Sequence, residues 1–224
     1  MTNNTEKIFM SWMKRALVAE ERPPGSSDSL GALCRQGGIP LGMPGEQWPK
    51  KDGEPLFPIL TIAAKELPFI PDFLSGYEYW AIFLQLDEFN QSTKDGSLVV
   101  RKYSTLEGLE PILFPDQKTN EYIELYFKEV EDYPSYSAVD CTLNRDNELK
   151  NRLSIDWGDK LDKYECHSGI KLGGYPLLIQ GTAFLENLNP DFQIQIDSTK
   201  VYSYCDSGIG YIYGKLSAAI WETM

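Results

Sequence analysis

The chain has 224 residues and a formal net charge of −12, from 33 acidic and 21 basic side chains, with one histidine and four cysteines. This length allows one large domain or two small ones, and it can bury about 70% of the unfolded surface without cross-links. The acidic balance argues against a nucleic-acid-binding protein, which needs a basic surface. The single histidine excludes most His-rich metal sites.

The sequence also argues against export and membrane insertion. It contains no run of about 18 apolar residues, the length that a membrane helix needs. The N-terminus is a poor signal peptide, because Glu6 offsets Lys7, and Lys14 and Arg15 interrupt the apolar segment that follows. We therefore expect a cytoplasmic protein with no membrane partner.

The cysteines are widely spaced and form no CxxC pair. In a reducing compartment such residues are usually small, buried apolar side chains rather than metal ligands. We therefore predict no metal site and no cofactor. The four residues concerned are Cys34, Cys141, Cys166 and Cys205.

An amphipathic helix is predicted near the N-terminus. Thr5 or Asn4 can cap it, and Pro23, Pro24 and Gly25 end it. Apolar residues at helical spacing give it one apolar face, which we expect to pack on a sheet rather than to lie on a membrane. The residues of that face are Ile8, Phe9, Trp12, Met13, Ala16 and Leu17.

Most of the remaining pattern is typical of strands. The segment 26–58 is too rich in Gly and Pro for a long helix, and 144–164 has approximate helical spacing. The segment 121–130 alternates as a strand does, although its spacing also allows a helix. We predict an α+β fold, mostly antiparallel β-sheet, in two similar β-rich halves with the N-terminal helix. The predicted strands are 56–62, 77–86, 97–103, 121–130, 192–196 and 208–214.

A weak internal repeat supports the two halves. The sequence 37–41, GGIPL, recurs at 173–177 as GGYPL, and apolar residues follow each copy at the same offset. The offset matches Leu56, Pro58 and Leu60 with Phe192, Ile194 and Ile196. We predict one domain, 1–224, with halves of about 26–103 and 167–216 joined by an insertion or connecting segment, 104–166. The alternative is that GG-x-P marks two unrelated turns.

The same segments resemble the YwqG-like family, over most of 32–87 and 167–214. Three features depart from the family pattern: Met43 stands where Pro is usual, Thr61 lies near a usual Gln, and Tyr204-Cys205 replace a Trp-Gly. The resemblance implies an α+β fold with two β-rich halves but no settled activity, and some such bacterial proteins belong to toxin–immunity gene sets. The motif residues are Gly37, Gly38, Pro40, Trp48, Pro49, Gly173, Gly174, Pro176, Gln180, Asp206 and Gly208.

Few residues suggest catalysis. Cys166 and His167 are adjacent, and adjacent strand residues point to opposite faces, so a nucleophilic dyad needs a local turn and a third orienting group. Asp206 precedes Ser207-Gly208, where it either shapes a turn or contacts a ligand. Trp48 either closes the core or forms a binding platform. We therefore predict no catalytic residues, and an enzyme with a site near Cys166, His167 and Asp206 is an alternative.

One segment suggests a binding surface. Acidic side chains interleaved with tyrosines suit the capture of a basic partner, because the charges steer association and the rings anchor it. The alternative is a solvated edge strand. We expect a non-catalytic, immunity-type inhibitor of a basic toxin or enzyme domain, with a scaffold in a bacterial protein assembly as a further alternative. The predicted contact residues are Glu121, Tyr122, Glu124, Tyr126, Glu129, Glu131 and Asp132.

Overall fold

The computed structural model of the protein describes residues 7, 10–22, 32–85, 98–113, 121–135, 165–178, 192–199, 201 and 208–222. The strands within these ranges are β1 (Lys14–Glu21), β2 (Arg35–Gly37), β3 (Leu41–Gly42), β4 (Lys50–Lys51), β5 (Glu54–Pro55), β6 (Phe57–Ala63), β7 (Tyr79–Leu84), β8 (Leu98–Tyr103), β9 (Glu110–Pro111), β10 (Tyr122–Asp132), β11 (Lys171–Gly173), β12 (Phe192–Asp197), β13 (Ile209–Tyr213) and β14 (Ala218–Glu222). Two short 3₁₀ helices span Ala64–Glu66 and Asp72–Leu74.

One ten-stranded sheet organises the described residues. Its order is β14-β13-β12-β11-β1-β10-β2-β6-β7-β8, and every neighbouring pair is antiparallel. Two small sheets, β3-β9 and β4-β5, accompany it. The predicted α+β class is therefore wrong, since the structure is almost entirely antiparallel sheet.

The predicted N-terminal amphipathic helix is wrong over its second half. Lys7 and 10–12 are helical, but the chain enters β1 at Lys14. The sequence of β1, KRALVAEE, consists mostly of good helix formers. Eight residue pairs with β10 and three with β11 override that preference. Ala16, Leu17 and Val18 are all buried in consecutive positions, as in a strand covered on both faces.

The strand predictions elsewhere agree with the structure. The six predicted strands correspond to β6, β7, β8, β10, β12 and β13, with boundaries that differ by two residues or fewer. All six side chains of β7 are buried, which matches the continuous apolar run in its sequence. The helix predicted at 144–164 lies outside the described residues, as do Cys141, Gln180, Cys205 and Asp206.

The strand order and register contain an approximate two-fold repeat. The strands β2-β6-β7-β8 continue outward from β10, and β11-β12-β13-β14 continue outward from β1. A register irregularity follows Pro58 in β6, and another follows Phe192 in β12. The long strand β10 lies at the centre of the sheet, although it comes from the segment interpreted as an insertion or connection.

The register also defines equivalent positions in the two sets of strands. Arg35 lies opposite Thr61, as Lys171 lies opposite Gln195. Leu60, opposite Ile82, corresponds to Ile194, opposite Ile212. This equivalence is displaced by two residues from the offset used in the sequence comparison, which matched Leu60 with Ile196.

Both diglycines adopt left-handed backbone conformations. Gly37 and Gly38 have φ of 76° and 75°, and Gly173 and Gly174 have 77° and 73°. A Cβ on Gly174 would lie 2.2 Å from Asp132 Oδ2, whereas a Cβ on Gly173 would approach nothing nearer than 3.6 Å. Gly174 is therefore required both by its conformation and by the close approach of a buried carboxylate.

We predict that Gly174→Ala destabilises the fold more than Gly173→Ala. The second variant incurs only the backbone strain of a left-handed alanine, about 1–2 kcal/mol. The first also displaces Asp132, which we expect to cost about 2 kcal/mol more. Urea unfolding of the two variants measures the difference. Equal losses of stability would contradict the close approach.

Candidate functional site

The acidic segment 121–132 forms β10, which lies at the middle of the sheet. β10 pairs with β1 on one side and with β2 on the other, so it is not a solvated edge strand. Five of the seven predicted contact residues are exposed, Glu124 is half-buried and Asp132 is fully buried. Tyr122 is 45% exposed to solvent and Tyr126 is 36% exposed, which is enough for both to contact a partner. The exposed five are Glu121, Tyr122, Tyr126, Glu129 and Glu131.

The exposed tyrosines and two of the acids lie on different faces of the strand. Because β10 pairs with β1 without irregularity, residues of even number share the face of Tyr122 and Tyr126. Glu129 and Glu131 therefore lie on the opposite face. The predicted contact residues do not form one continuous surface.

Part of the acidity is neutralised within the protein. Arg15 Nε donates to Glu129 Oε1 at 2.6 Å, and this hydrogen bond lowers the pKa of Glu129. On the other face, Glu20 pairs with Lys128 and accepts a hydrogen bond from Tyr126. The segment is therefore less negative toward solvent than its sequence suggests.

Asp132 ties the end of β10 to the segment 165–178. Lys171 Nζ lies 3.0 Å from Asp132 Oδ2, and both side chains are fully buried. The Asp132 carboxylate also accepts hydrogen bonds from the backbone N–H groups of His167 at 2.9 Å and Tyr175 at 2.7 Å. A carboxylate with these partners is a structural anchor, so Asp132 cannot serve as a surface contact.

The contacts of Cys166 and His167 do not form a nucleophile–base pair. Cys166 Sγ lies 3.8 Å from Lys171 Nζ and a similar distance from the carbonyls of Tyr175 and Pro176. Burial raises the pKa of Cys166 to about 11. The His167 ring instead contacts the Glu131 carbonyl at 3.2 Å and the Glu165 carboxylate at 3.6 Å. Neither the thiol pKa nor the ring contacts favour nucleophilic catalysis.

The remaining motif residues support the fold. Trp48 donates from Nε1 to the Leu56 carbonyl at 2.8 Å and packs edge-on against Phe83, so its ring closes the core and is not a binding platform. The Gly208 carbonyl accepts hydrogen bonds from the backbone N–H and the hydroxyl of Ser198. Three motif prolines are buried, namely Pro40, Pro49 and Pro176.

A cleft that the sequence did not indicate lies beside β2 and β6. Its volume is about 780 Å³, and its charged lining consists of Arg22, Arg35, Lys65 and Glu66. We call it the cationic cleft, since three cations and one carboxylate line it in a protein of net charge −12. Tyr79 belongs to the lining, and burial raises its pKa to about 12. The other lining residues are Ala32, Leu33, Ile39, Leu41, Thr61, Leu106, Leu109 and Pro111.

The two arginines of the cationic cleft are incompletely paired. The Nε atoms of Arg22 and Arg35 are buried and have no hydrogen-bond partner among the described residues. Arg22 Nη2 lies 3.6 Å from Glu66 Oε2, but this carboxylate also accepts the backbone N–H groups of Leu33 and Cys34. The Arg35 guanidinium stacks on the Tyr122 ring at 4.8 Å. In the sequence, the only related signal is Arg35, two residues before the diglycine.

Comparison with known proteins leaves the chain without an assigned family. No protein-family model matches it, and no curated protein matches it significantly. The resemblance to the YwqG-like family therefore stays a prediction. In the part of the chain that the structure describes, no helix is long and apolar enough to cross a membrane, and no three His, Cys, Asp or Glu side chains are grouped as metal ligands.

We predict that Lys171→Met is strongly destabilising. It leaves the Asp132 carboxylate buried without its counter-charge, which costs about 3–5 kcal/mol in comparable buried pairs. The double variant Lys171→Met/Asp132→Asn should recover part of this loss, because it removes the uncompensated buried charge and the amide oxygen still accepts one of the two backbone hydrogen bonds. Urea unfolding provides the measurement, with Arg15→Met at the exposed pair with Glu129 as the control, which is expected to lose much less stability because solvent screens that pair. A loss in Lys171→Met no larger than the control would contradict this role.

We also predict that Cys166 is a poor nucleophile. With a pKa of about 11, about one thousandth of the thiol is ionised near pH 8. In a variant with the other three cysteines replaced by serine, the rate of alkylation by iodoacetamide should rise with pH and show no inflection below about pH 9. The unfolded chain in urea should titrate near the ordinary thiol pKa. An inflection below about pH 8 in the folded protein would instead support an activated thiol.

Proposed function

We propose that this chain is a non-catalytic, cytoplasmic binding protein, an immunity-type inhibitor that captures a basic toxin or enzyme domain. The observation that carries this proposal is the exposure of Tyr122 and Tyr126 on one face of the central strand β10. Glu20 lies directly opposite Tyr126, and Glu124 occupies the same face between the two tyrosines. We call these four residues the tyrosine face.

The chemistry of the tyrosine face suits a basic protein. Exposed tyrosines are common anchors in protein interfaces, since a large ring contributes contact area at small entropic cost. Their partner must also approach a molecule of net charge −12, which favours a positively charged surface through long-range attraction. Occupying the substrate site of an enzyme that acts on anions would inhibit it directly.

The position of the tyrosine face supports a rigid interface. Tyr126 is paired with Glu20 of β1 and Tyr122 with Gly37 of β2, so both tyrosines are held in place by a strand ladder before a partner arrives. A pre-organised surface loses less conformational freedom on binding than a loop does. The alternative enzyme site near Cys166, His167 and Asp206 receives no support from the contacts of the two residues that are described.

The test requires a toxin domain encoded next to this gene, expressed with and without this chain. We expect co-expression to protect cells and the two proteins to form a complex. In kinetic binding measurements, the association rate should fall about ten-fold or more between about 20 mM and 300 mM salt. Tyr126→Ala should weaken the complex about ten-fold.

A matched control separates the tyrosine face from exposed tyrosines in general. Tyr77 is 41% exposed and precedes β7, which lies three strands from β10. We expect Tyr77→Ala to bind the partner as the parent protein does. Failure of the chain to protect cells, or an association rate independent of salt, would contradict the proposed function.

A further inference from the structure

We propose that the cationic cleft binds an organic anion, with a carboxylate or phosphate group held by Arg35 and Arg22 and an apolar part packed on the cleft wall. This site adjoins the tyrosine face, because the Arg35 guanidinium stacks on Tyr122, but it takes a small molecule rather than a protein. The inference depends on the incompletely paired guanidinium groups, on a comparison of equivalent positions in the two sets of strands, and on the mixed lining of the cleft.

The guanidinium groups of the cationic cleft are incompletely paired, because Arg22 Nη2 lies 3.5 Å from the Leu125 carbonyl and 3.6 Å from Glu66 Oε2 while the Nε atoms have no acceptor among the described residues. A buried donor without a partner costs about 1–3 kcal/mol, and the cationic cleft contains two, the Nε atoms of Arg22 and Arg35. A guanidinium presents its N–H donors as a planar fork, which fits the two oxygens of a carboxylate or phosphate. Glu124 lies opposite Arg35 in the register, but its Oε1 accepts from the Ala32 N–H at 3.3 Å. Because both Nε atoms are themselves buried, an anion in the cleft is held through the Nη atoms of the two guanidinium groups.

The equivalent position in the β11-β12-β13-β14 set of strands shows how the fold pairs such a cation within the chain. Lys171 corresponds to Arg35, and its ammonium group is paired with the buried carboxylate of Asp132 at 3.0 Å. The cation at the Lys171 position is thus neutralised by the chain itself. Arg35 retains a buried donor that no described residue satisfies.

The next strand differs in the same way. Gln195 corresponds to Thr61, and the Gln195 side chain bridges the Leu177 N–H at 2.8 Å and the Gly169 carbonyl at 3.1 Å. Thr61 is shorter; its hydroxyl donates to the Leu33 carbonyl at 2.7 Å, which is equivalent to the Gly169 carbonyl, and its side chain also hydrogen-bonds Tyr79. A long polar side chain therefore occupies one position, and a short one at the other position borders the cationic cleft.

The lining of the cationic cleft defines the rest of the ligand. The volume of about 780 Å³ falls within the range of small-molecule sites, and side chains with apolar surface outnumber the charged ones. Inorganic phosphate would leave this wall in contact with water. An acid with an aliphatic or aromatic skeleton would cover the wall and meet the arginines together. The apolar wall consists of Leu33, Ile39, Leu41, Leu106, Leu109 and Pro111.

Isothermal titration calorimetry with four eight-carbon probes and with inorganic phosphate tests the proposal. Octanoate and octyl phosphate carry the anion, octanol lacks the charge, octylamine reverses it, and inorganic phosphate lacks the apolar chain. We expect both anions to bind at least ten-fold more tightly than octanol, octylamine or inorganic phosphate, as expected for a charge-assisted hydrogen bond. The stronger of the two anions identifies the preferred acid group.

Two variants and a control locate the site. Arg35→Met should weaken octanoate binding at least ten-fold, whereas Arg15→Met, the same change at an exposed arginine outside the cleft lining, should alter it less than two-fold. Thr61→Gln should also weaken binding by occupying the cleft, as Gln195 occupies its own position, without removing a charge. Thermal unfolding of each variant confirms that it is folded.

Several outcomes would overturn the proposal. Absence of binding by both anions, octanol affinity equal to that of octanoate, or equal effects of Arg35→Met and Arg15→Met would each exclude an anion site in the cationic cleft. If Arg35→Met does not fold, unchanged octanoate binding by folded Thr61→Gln excludes the site equally. None of these outcomes bears on the partner-protection test of the proposed function.

Discussion

The pairing of β1 with β10 is the constraint on which the rest of the structure depends. These two strands are far apart in sequence, yet eight residue pairs join them at the centre of the sheet. Each strand then supports a four-strand extension: β11, β12, β13 and β14 beside β1, and β2, β6, β7 and β8 beside β10. Without the central pair, the two outer sets of strands would have no common sheet. The buried Asp132–Lys171 ion pair fixes one end of this arrangement, because it joins the last residue of β10 to β11.

The approximate two-fold repeat relates positions whose chemistry has diverged. On one side, Lys171 and Gln195 have hydrogen-bond partners within the chain. On the other side, Arg35 and Thr61 border an open cleft. The same backbone scaffold therefore pairs a buried cation within the chain at one position and leaves the equivalent cation at a cleft. The difference results from side-chain length and from the location of one carboxylate.

Sequence patterns predicted the strands well because most of them alternate or form short apolar runs between turn residues. They failed at β1, where KRALVAEE favours a helix by propensity and the strand exists only because β10 and β11 lie beside it. They also misjudged Asp132, because in the sequence it follows the charged residues Lys128, Glu129 and Glu131 and so resembles a surface group. Its burial depends on Lys171, which is distant in sequence. The cationic cleft was missed for the same reason, because its cations belong to separate segments.

The sequence by itself determined the acidity of the molecule, the local strand pattern and the two diglycine turns, because each depends on composition or on neighbouring residues. Only the tertiary structure decided which strands lie at the centre, which charges are buried and which remain available. Those outcomes depend on contacts between distant segments, such as Asp132 with Lys171 and Arg22 with Glu66. In this way Asp132 of the acidic segment is buried and stabilises the fold, while three cations from separate segments line one cleft in a protein whose net charge is −12.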